Sequence, residues 1–217
     1  MGALCALSAF FAPSAGRAEI VVGRVELPTP AAAKRDVLPP GYVRTRVTGA
    51  AEAQAGPIPF AVFLRATEDA LPPKDPPEAP TLSLSGLRFS PTTAACADGG
   101  KVVLVNDDIE PVTFVVGGAR LETVQPRESL TYECVIPTEG ATTLEVGVLE
   151  WPGAHGAIYV GETGVPGVVA PDGSFRVSVS RGTYQLRVVG RSGVARELEL
   201  EVNGRTVNVG TVELSGE

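Results

Sequence analysis

Hydrophobic and polar residues alternate with a period of two along much of the chain. Two clear examples near the N-terminus are Glu19–Leu27 (EIVVGRVEL) and Ile58–Ala66 (IPFAVFLRA). This alternation places successive side chains on opposite faces of a β-strand, so both segments are predicted to be strands with a buried face. Between them, residues 28–57 contain a Pro-Pro-Gly sequence and an alanine run. They predict a long loop with one possible strand at Tyr42–Val47.

A proline-rich stretch divides the chain. Residues 71–80 hold five prolines in ten positions, which is typical of a stiff, extended linker and predicts a domain boundary. Later segments again alternate or are rich in β-branched residues, and turn-forming residues separate them at the spacing of about 8 to 12 residues found in sandwiches. These predicted strands are 81–89, 100–106, 111–116, 128–136, 143–150, 157–160, 167–170, 174–179, 184–189, 194–202 and 206–214. The pattern predicts an all-β fold of two small β-sandwiches.

Composition narrows the possible functions. The chain has 217 residues, 44% of them hydrophobic and 20% charged, which suits a folded, β-rich chain of one or two domains. Its formal charge of −7 would repel a phosphate backbone, so no nucleic-acid partner is expected. Beyond the N-terminus, no apolar stretch approaches the roughly 20 residues that a membrane span needs. A transmembrane span is therefore not expected.

The N-terminus predicts export. Within Met1–Ala18, an apolar stretch at Ala3–Ala12 is followed by small residues, which resembles a secretory signal peptide cleaved after Ala18. The alternative is a buried N-terminal segment. Export would place the mature chain in the periplasm or outside the cell. After cleavage, Cys96 and Cys134 remain as an even pair in an oxidising compartment, where they form either a disulfide or two free buried thiols.

Four stretches between Leu82 and Val160 carry a family resemblance. They are LRFSP at 87–91, GGKVVLVNDD at 99–108, PRESLTYEC at 126–134 and EWPGAHGAIYV at 150–160. Together they resemble a cupredoxin of the plastocyanin-like kind. The resemblance implies a Greek-key sandwich and a set of copper ligands. In this chain the ligand positions fall near Val112, Val148, Trp151 and Ala154.

The chain lacks the donors that such a copper site requires. A trigonal blue-copper site is built from two histidines and a cysteine thiolate, with a weak axial methionine if one is present. This chain has one histidine, His155, and its only methionine is Met1. Blue copper is therefore excluded for a monomer without borrowed ligands, and no cofactor is expected.

The C-terminal part carries a second resemblance. V-x-x-D-G-x-F-x-V occurs at 169–177 and G-x-Y-x-L-x-V at 182–188, and Asp172-Gly173 can make a tight hairpin turn. Together they resemble a carboxypeptidase regulatory-like domain, a small transthyretin-like sandwich; an unrelated hairpin with the same turn is the alternative. The resemblance assigns Gly23–Leu27 and Pro59–Leu64 to its first two strands.

These assignments imply a discontinuous sandwich with the cupredoxin-like module inserted in or adjacent to it. The order resembles bacterial periplasmic proteins of the methylamine-utilisation-like kind. The expected organisation is a signal peptide at 1–18, first strands of the regulatory-like sandwich at 19–70, a linker at 71–80, a cupredoxin-like domain lacking copper ligands at 81–160, and the remaining regulatory-like strands at 161–217.

Four side chains are candidates for a ligand or partner contact. Asp107 and Asp108 belong to a small acidic cluster that could bind Ca²⁺ through oxygens, but the spacing does not follow a calcium-binding loop, and a solvated turn is favoured. His155 could supply one metal ligand, although a solitary imidazole is more often an ordinary loop residue. Trp151 either fills the pocket vacated by the metal, which is favoured, or anchors a partner.

The function expected from the sequence is binding rather than catalysis. Only His155 could act as an imidazole base, and no G-x-S-x-G sequence is present. We expect a non-catalytic binding or structural protein of the bacterial cell envelope with a protein or glycan partner. The alternative is a periplasmic carrier of a metal or small ligand at a non-standard site. An exposed apolar patch around Trp151 would favour the first, and a polar cluster joining Asp107, Asp108 and His155 the second.

Overall fold

The computed structural model describes residues 18–27, 60–67, 78–136, 142–190 and 193–214, and these ranges contain sixteen strands and no helix. The strands are β1 Glu19–Val25, β2 Phe60–Ala66, β3 Thr81–Ser85, β4 Arg88–Ser90, β5 Thr93–Ala97, β6 Lys101–Asn106, β7 Val112–Val116, β8 Ala119–Val124, β9 Ser129–Glu133, β10 Thr142–Val148, β11 His155–Gly161, β12 Val165–Val168, β13 Ser174–Val179, β14 Gly182–Gly190, β15 Gly193–Val202 and β16 Thr206–Val212. The all-β prediction is confirmed. Within these ranges no helix could cross a membrane.

Some predictions fall outside the described residues. They are the signal peptide up to residue 17, the possible strand at Tyr42–Val47, and the linker up to residue 77. Among the described residues, the sequence pattern missed β5 and β8. It also merged β3 and β4 into one strand.

The strands form four sheets that pack as two sandwiches. One sandwich combines the sheet β5-β11-β10-β7-β8 with the sheet β4-β3-β6-β9, and all its strands lie between Thr81 and Gly161. We call it the inserted sandwich. The other combines β13-β1-β16 with β12-β2-β14-β15. We call it the discontinuous sandwich, because β1 and β2 precede the insert and the other five strands follow it.

Each sandwich has its own apolar core. In the inserted sandwich, Leu82 and Leu104 from one sheet pack with Phe114 and Ile158 from the other. In the discontinuous sandwich, β2 lies between β12 and β14, and its partner sheet has β1 at the centre. β1 pairs antiparallel with β13 and parallel with β16, so it lies at the centre of a sheet whose other two strands come from the C-terminal part of the chain.

A third buried cluster joins the two sandwiches. It contains Ala61, Phe63 and Val189 from the discontinuous sandwich and Ala95, Ala157 and Tyr159 from the inserted one. β2 and β11 therefore bury both faces, since their alternate residues, such as Val62 and Ile158, belong to the separate cores. Strands covered on both faces read as continuous apolar runs, and FAVFL in β2 is such a run.

The predicted turn at Asp172-Gly173 is present. The Gly173 N–H donates to the carbonyl of Ala170 at 2.8 Å, and Gly173 has φ 86°. A Cβ at this position would overlap the carbonyl oxygen of Val25, so only glycine fits both the backbone angle and the space. The hydroxyl and N–H of Ser174 donate to the Asp172 carboxylate and hold its pKa below the usual value. The turn joins β12 to β13.

Candidate functional site

Four connections meet at one end of the inserted sandwich. They are the β3–β4 turn, the β6–β7 loop, the β8–β9 loop and the β10–β11 loop. Backbone hydrogen bonds tie them together: Arg127 N–H donates to the Asn106 carbonyl at 2.7 Å, and Leu149 N–H donates to the Thr113 carbonyl at 3.0 Å. This end of the sandwich brings together Asp107, Asp108 and Trp151 of the predicted site residues.

Asn106 is the polar centre of this end. It ends β6 and is fully buried. Its side-chain amide donates to the carbonyls of Glu110 at 2.8 Å and Val124 at 3.0 Å, and its Oδ1 accepts the N–H of Asp108 at 3.0 Å. A buried amide is stable only when its hydrogen bonds are made. Asn106 therefore fixes the β6–β7 loop against the end of β8.

The two aspartates hold a turn that lies earlier in the chain. The Asp108 carboxylate accepts the N–H groups of Gly86 at 2.7 Å and Leu87 at 3.2 Å, and Asp107 accepts the hydroxyl of Ser83. Gly86 and Leu87 have φ 58° and 63°, as in a type I′ turn. A left-handed conformation costs a leucine about 1 kcal/mol or more, and the Asp108 hydrogen bonds offset this cost.

Glu150 fixes the β10–β11 loop. Its Oε2 accepts the N–H of Thr113 at 2.9 Å. Desolvation by itself would raise the pKa of Glu150, but hydrogen bonds from the Thr113 backbone and side chain and the charge of Arg120 lower it, and the net result is a pKa below the usual value. The carboxylate is therefore ionised at neutral pH and remains an acceptor for Thr113.

The positions that the cupredoxin resemblance assigns to copper ligands carry apolar side chains. Val112, Val148 and Ala154 are buried in the core of the inserted sandwich, and Trp151 is partly buried and packs against that core. Alkyl groups and an indole offer no lone pair suited to a copper ion. These residues do not fit the blue-copper centre that the cupredoxin resemblance implies.

In the part of the chain that the structure describes, His155 does not belong to a cluster of side chains that could bind a metal ion. It begins β11, is exposed, and its backbone lies opposite Gly147 of β10. Among the described residues, no three His, Cys, Asp or Glu side chains converge in a way that could hold a metal ion. Within the described residues, Asp107 and Asp108 are joined to the β3–β4 turn and not to a cluster with His155.

Exposed aliphatic side chains are the feature that the sequence interpretation missed. Leu87, Ile109 and Leu149 are 46%, 92% and 50% exposed, and each lies in one of the connections described above. We call these three residues the apolar loop patch. Trp151, two positions after Leu149 in the same loop, is partly buried and packs against the core of the inserted sandwich. The signal in the sequence was an aliphatic residue beside turn-forming or acidic residues, in GLR, DIE and LEW.

The cysteine pair forms a disulfide. Cys96 of β5 and Cys134, just after β9, are bonded, with 6.7 Å between their Cα atoms. Both are buried in the core of the inserted sandwich. Because β5 and β9 belong to different sheets, the bond ties the two layers together. Of the two alternatives for these cysteines, the structure has the disulfide.

Replacement of Asn106 by alanine should destabilise the chain by about 3 kcal/mol, because it removes three hydrogen bonds and leaves buried groups without partners. The measurement is urea unfolding followed by circular dichroism. Asn208→Ala is the matched control, since Asn208 is exposed and accepts one hydrogen bond, from Gly210 N–H at 2.9 Å. That variant should lose less than about 1 kcal/mol. Equal losses in both variants would refute the central role of Asn106.

No protein-family model matches this chain, and no curated protein matches it. Solved structures with partial similarity include a purple cupredoxin from Nitrosopumilus maritimus, at 16% identity and TM-score 0.31, covering 37% of this chain and 98% of the other. An oxidised amicyanin variant gives 10% identity and TM-score 0.34, covering 46% and 97%. A copper-containing nitrite reductase from Thermus scotoductus gives 17% identity and TM-score 0.35, covering 46% and 28%.

All three similarities are weak and partial. The chain spans nearly the full length of the two small cupredoxins but less than a third of the nitrite reductase.

Proposed function

We propose that this chain is an exported, non-catalytic binding protein of the cell envelope, and that it contacts a protein partner through the apolar loop patch. The single observation that carries the proposal is the exposure of Leu87, Ile109 and Leu149 on connections at the same end of the inserted sandwich. Exposed apolar groups that share one surface are typical of protein contact sites. Aliphatic side chains favour a protein partner over a glycan, because they offer no aromatic face for a sugar ring.

The backbone of the β3–β4 turn supports the proposal. Leu87 is held in a left-handed conformation and exposes 46% of its surface. Glycine or asparagine would make this turn with less strain. Backbone strain at an exposed apolar residue favours a role for its side chain in contact with a partner. The two Asp108 hydrogen bonds then serve to present Leu87 to a partner.

Other features of the chain support export, the loss of a copper site and the identity of the second sandwich. The apolar segment before Ala18 supports export, and a buried disulfide between Cys96 and Cys134 suits an oxidising compartment. The apolar residues at Val112, Val148 and Ala154 support a cupredoxin-like framework that has given up its copper site. The discontinuous order of β1, β2 and the C-terminal strands is compatible with a regulatory-like second sandwich.

Site-specific photo-crosslinking tests the patch. A photoreactive residue at position 109 or 149, in the otherwise unchanged chain, should give the same adduct with a component of the envelope fraction. The control places the same residue at position 194, because Val194 is also exposed, at 42%, but lies on β15 of the discontinuous sandwich. An adduct shared by 109 and 149 and absent at 194 is expected.

Competition by unlabelled variants decides whether the contact is specific. The unlabelled chain and Val194→Glu should suppress the adduct at similar concentrations. The double variant Ile109→Glu with Leu149→Glu should suppress the adduct only at a concentration at least about tenfold higher, since a charge at the centre of an apolar contact costs more than about 1.4 kcal/mol. The absence of any shared adduct, or equal competition by the double variant, would contradict the proposal.

A further inference from the structure

β9 is an edge strand: it pairs with β6 on one side, and among the described residues no strand pairs with it on the other. In its sheet, β9 stands last after β6, and in the facing sheet β8 stands last after β7. The strand Ser129–Glu133 (SLTYE) contains no proline, lysine or bulge, and its register with β6 is continuous. Such residues and irregularities are common protections of a sheet edge. The one charged residue of β9, Glu133, lies at its end, so the centre of the edge is open to another strand.

The hydrogen bonds between β6 and β9 show which residues of β9 direct their backbone N–H and carbonyl groups away from β6. At its two ends, Asn106 N–H donates to the carbonyl of Glu128, and Cys134 N–H donates to the carbonyl of Gly100. In an antiparallel ladder the bonded residues alternate, so the even-numbered residues of β9 bond to β6. The N–H and carbonyl groups of Ser129, Thr131 and Glu133 therefore point away from the sheet, toward a possible added strand.

A groove runs along this edge. It has a volume of about 480 Å³ and lies between β8 and β9. Its apolar surface comes from Leu121, Leu130 and Tyr132, which are partly buried and pack against the core. Its charged surface comes from Arg120, Glu122 and Glu133. A surface that carries both signs fits a second copy of itself better than a uniformly acidic or basic peptide, which would meet a like charge.

The sequence of β9 is self-complementary around Thr131. In an antiparallel pair centred there, Thr131 lies opposite the partner's Thr131. Because the backbone N–H and carbonyl groups of both residues point away from their own sheets, the two residues form a hydrogen-bonded pair. Leu130 then lies opposite the partner's Tyr132, an aliphatic–aromatic pair, and Ser129 lies opposite the partner's Glu133, a hydroxyl–carboxylate pair. No two like charges face each other. Exposed Val135, at 56%, lies just past the strand, where the second copy would cover it.

We infer that a second copy of this chain docks on β9 as an antiparallel strand, across a two-fold axis at Thr131. The two four-stranded sheets then become one sheet of eight strands. Leu130 and Tyr132 of both copies lie on the same face and fill the groove together. The contact is isologous, so it closes after two copies. It does not involve the apolar loop patch, and it stands independently of the proposed function.

Charge substitutions at the symmetry axis test the inference. Sedimentation velocity over a concentration series should show a monomer–dimer equilibrium for the unchanged chain. Thr131→Lys and Thr131→Glu should each raise the dissociation constant at least about tenfold, because each places two like charges directly opposite one another. An equimolar mixture of the two variants should form dimers again, because the opposed charges now attract. This recovery is specific to a pair that meets at position 131.

The control is Ser178→Lys, which makes the same charge change at an exposed position of β13, an edge strand of the discontinuous sandwich. It should leave the dissociation constant unchanged. Thermal unfolding checks that the Thr131 variants remain folded, as expected for an exposed position. A chain that stays monomeric at its highest soluble concentration overturns the inference. So does a dimer that Thr131→Lys leaves intact, or a mixture of the two variants that does not recover.

Discussion

Replacing Tyr159 by alanine should lower the free energy of unfolding by about 3 to 5 kcal/mol and should separate the unfolding of the two sandwiches. Tyr159 is fully buried and is the largest side chain of the cluster shared by the sandwiches. Its removal leaves a cavity in the cluster that it forms with Phe63, Ala95 and Ala157. The surrounding strands cannot close this cavity, because each is held in its own sheet.

Two probes measure the coupling. Trp151 is the only tryptophan and packs against the core of the inserted sandwich, so its fluorescence reports that sandwich. Far-ultraviolet circular dichroism reports both. In urea, the two curves should coincide for the unchanged chain, which is the sign of one cooperative transition. They should diverge for Tyr159→Ala.

The matched control is Ile158→Ala, at the neighbouring position of β11. Ile158 faces the core of the inserted sandwich instead of the shared cluster. Its replacement should cost about 2 to 5 kcal/mol but leave the two curves coincident. If the curves stay together in Tyr159→Ala, or separate equally in Ile158→Ala, the shared cluster is not what couples the sandwiches.

Removal of the disulfide should cost about 3 to 4 kcal/mol. The bond between Cys96 and Cys134 spans 38 residues, and closing a loop of that length restricts the unfolded chain by about this amount. The double variant Cys96→Ala with Cys134→Ala should unfold at a correspondingly lower urea concentration. Ser178→Ala, at an exposed position of β13 outside the inserted sandwich, is the control and should unfold as the unchanged chain does.

A reductant gives a second readout. Because Cys96 and Cys134 are buried, the folded chain should resist reduction at low urea and react only where it begins to unfold. Once the chain begins to unfold in the presence of the reductant, thiol titration should detect two more thiols than in the folded chain. Free thiols at Cys96 and Cys134 in the untreated chain, detected under denaturing conditions, would contradict the disulfide.

Most of the strands were predictable because period-two alternation depends only on local sequence. The missed ones failed for identifiable reasons. β5 (TAACA) is built from small residues and is buried on both faces, so it shows no alternation. β8 (ARLETV) is an edge strand with mostly exposed residues, and its polar content is typical of a loop. The turn that splits 81–89 was hidden because Leu87 is an unusual residue for a left-handed position.

The candidate site was harder to predict than the strands. The sequence interpretation favoured a solvated turn at Asp107 and Asp108, but their hydrogen-bond partners, Ser83 and the turn at Gly86-Leu87, lie more than twenty positions away. Spacing along the chain carries no information about such contacts. The apolar loop patch likewise draws single residues from three connections. Only the pairing of β7 with β10 and of β3 with β6 brings them to one end.

The shared buried cluster limits how this architecture can be reused. A graft of the inserted sandwich into another host would carry Ala95, Ala157 and Tyr159 to a new surface. Without a strand like β2 to cover them, these residues would form an exposed apolar surface that promotes aggregation. The host left behind would expose Phe63 in the same way. Recombination or engineering must therefore move the matching halves of this contact together, which makes the insert a poor interchangeable module despite its continuous stretch of sequence.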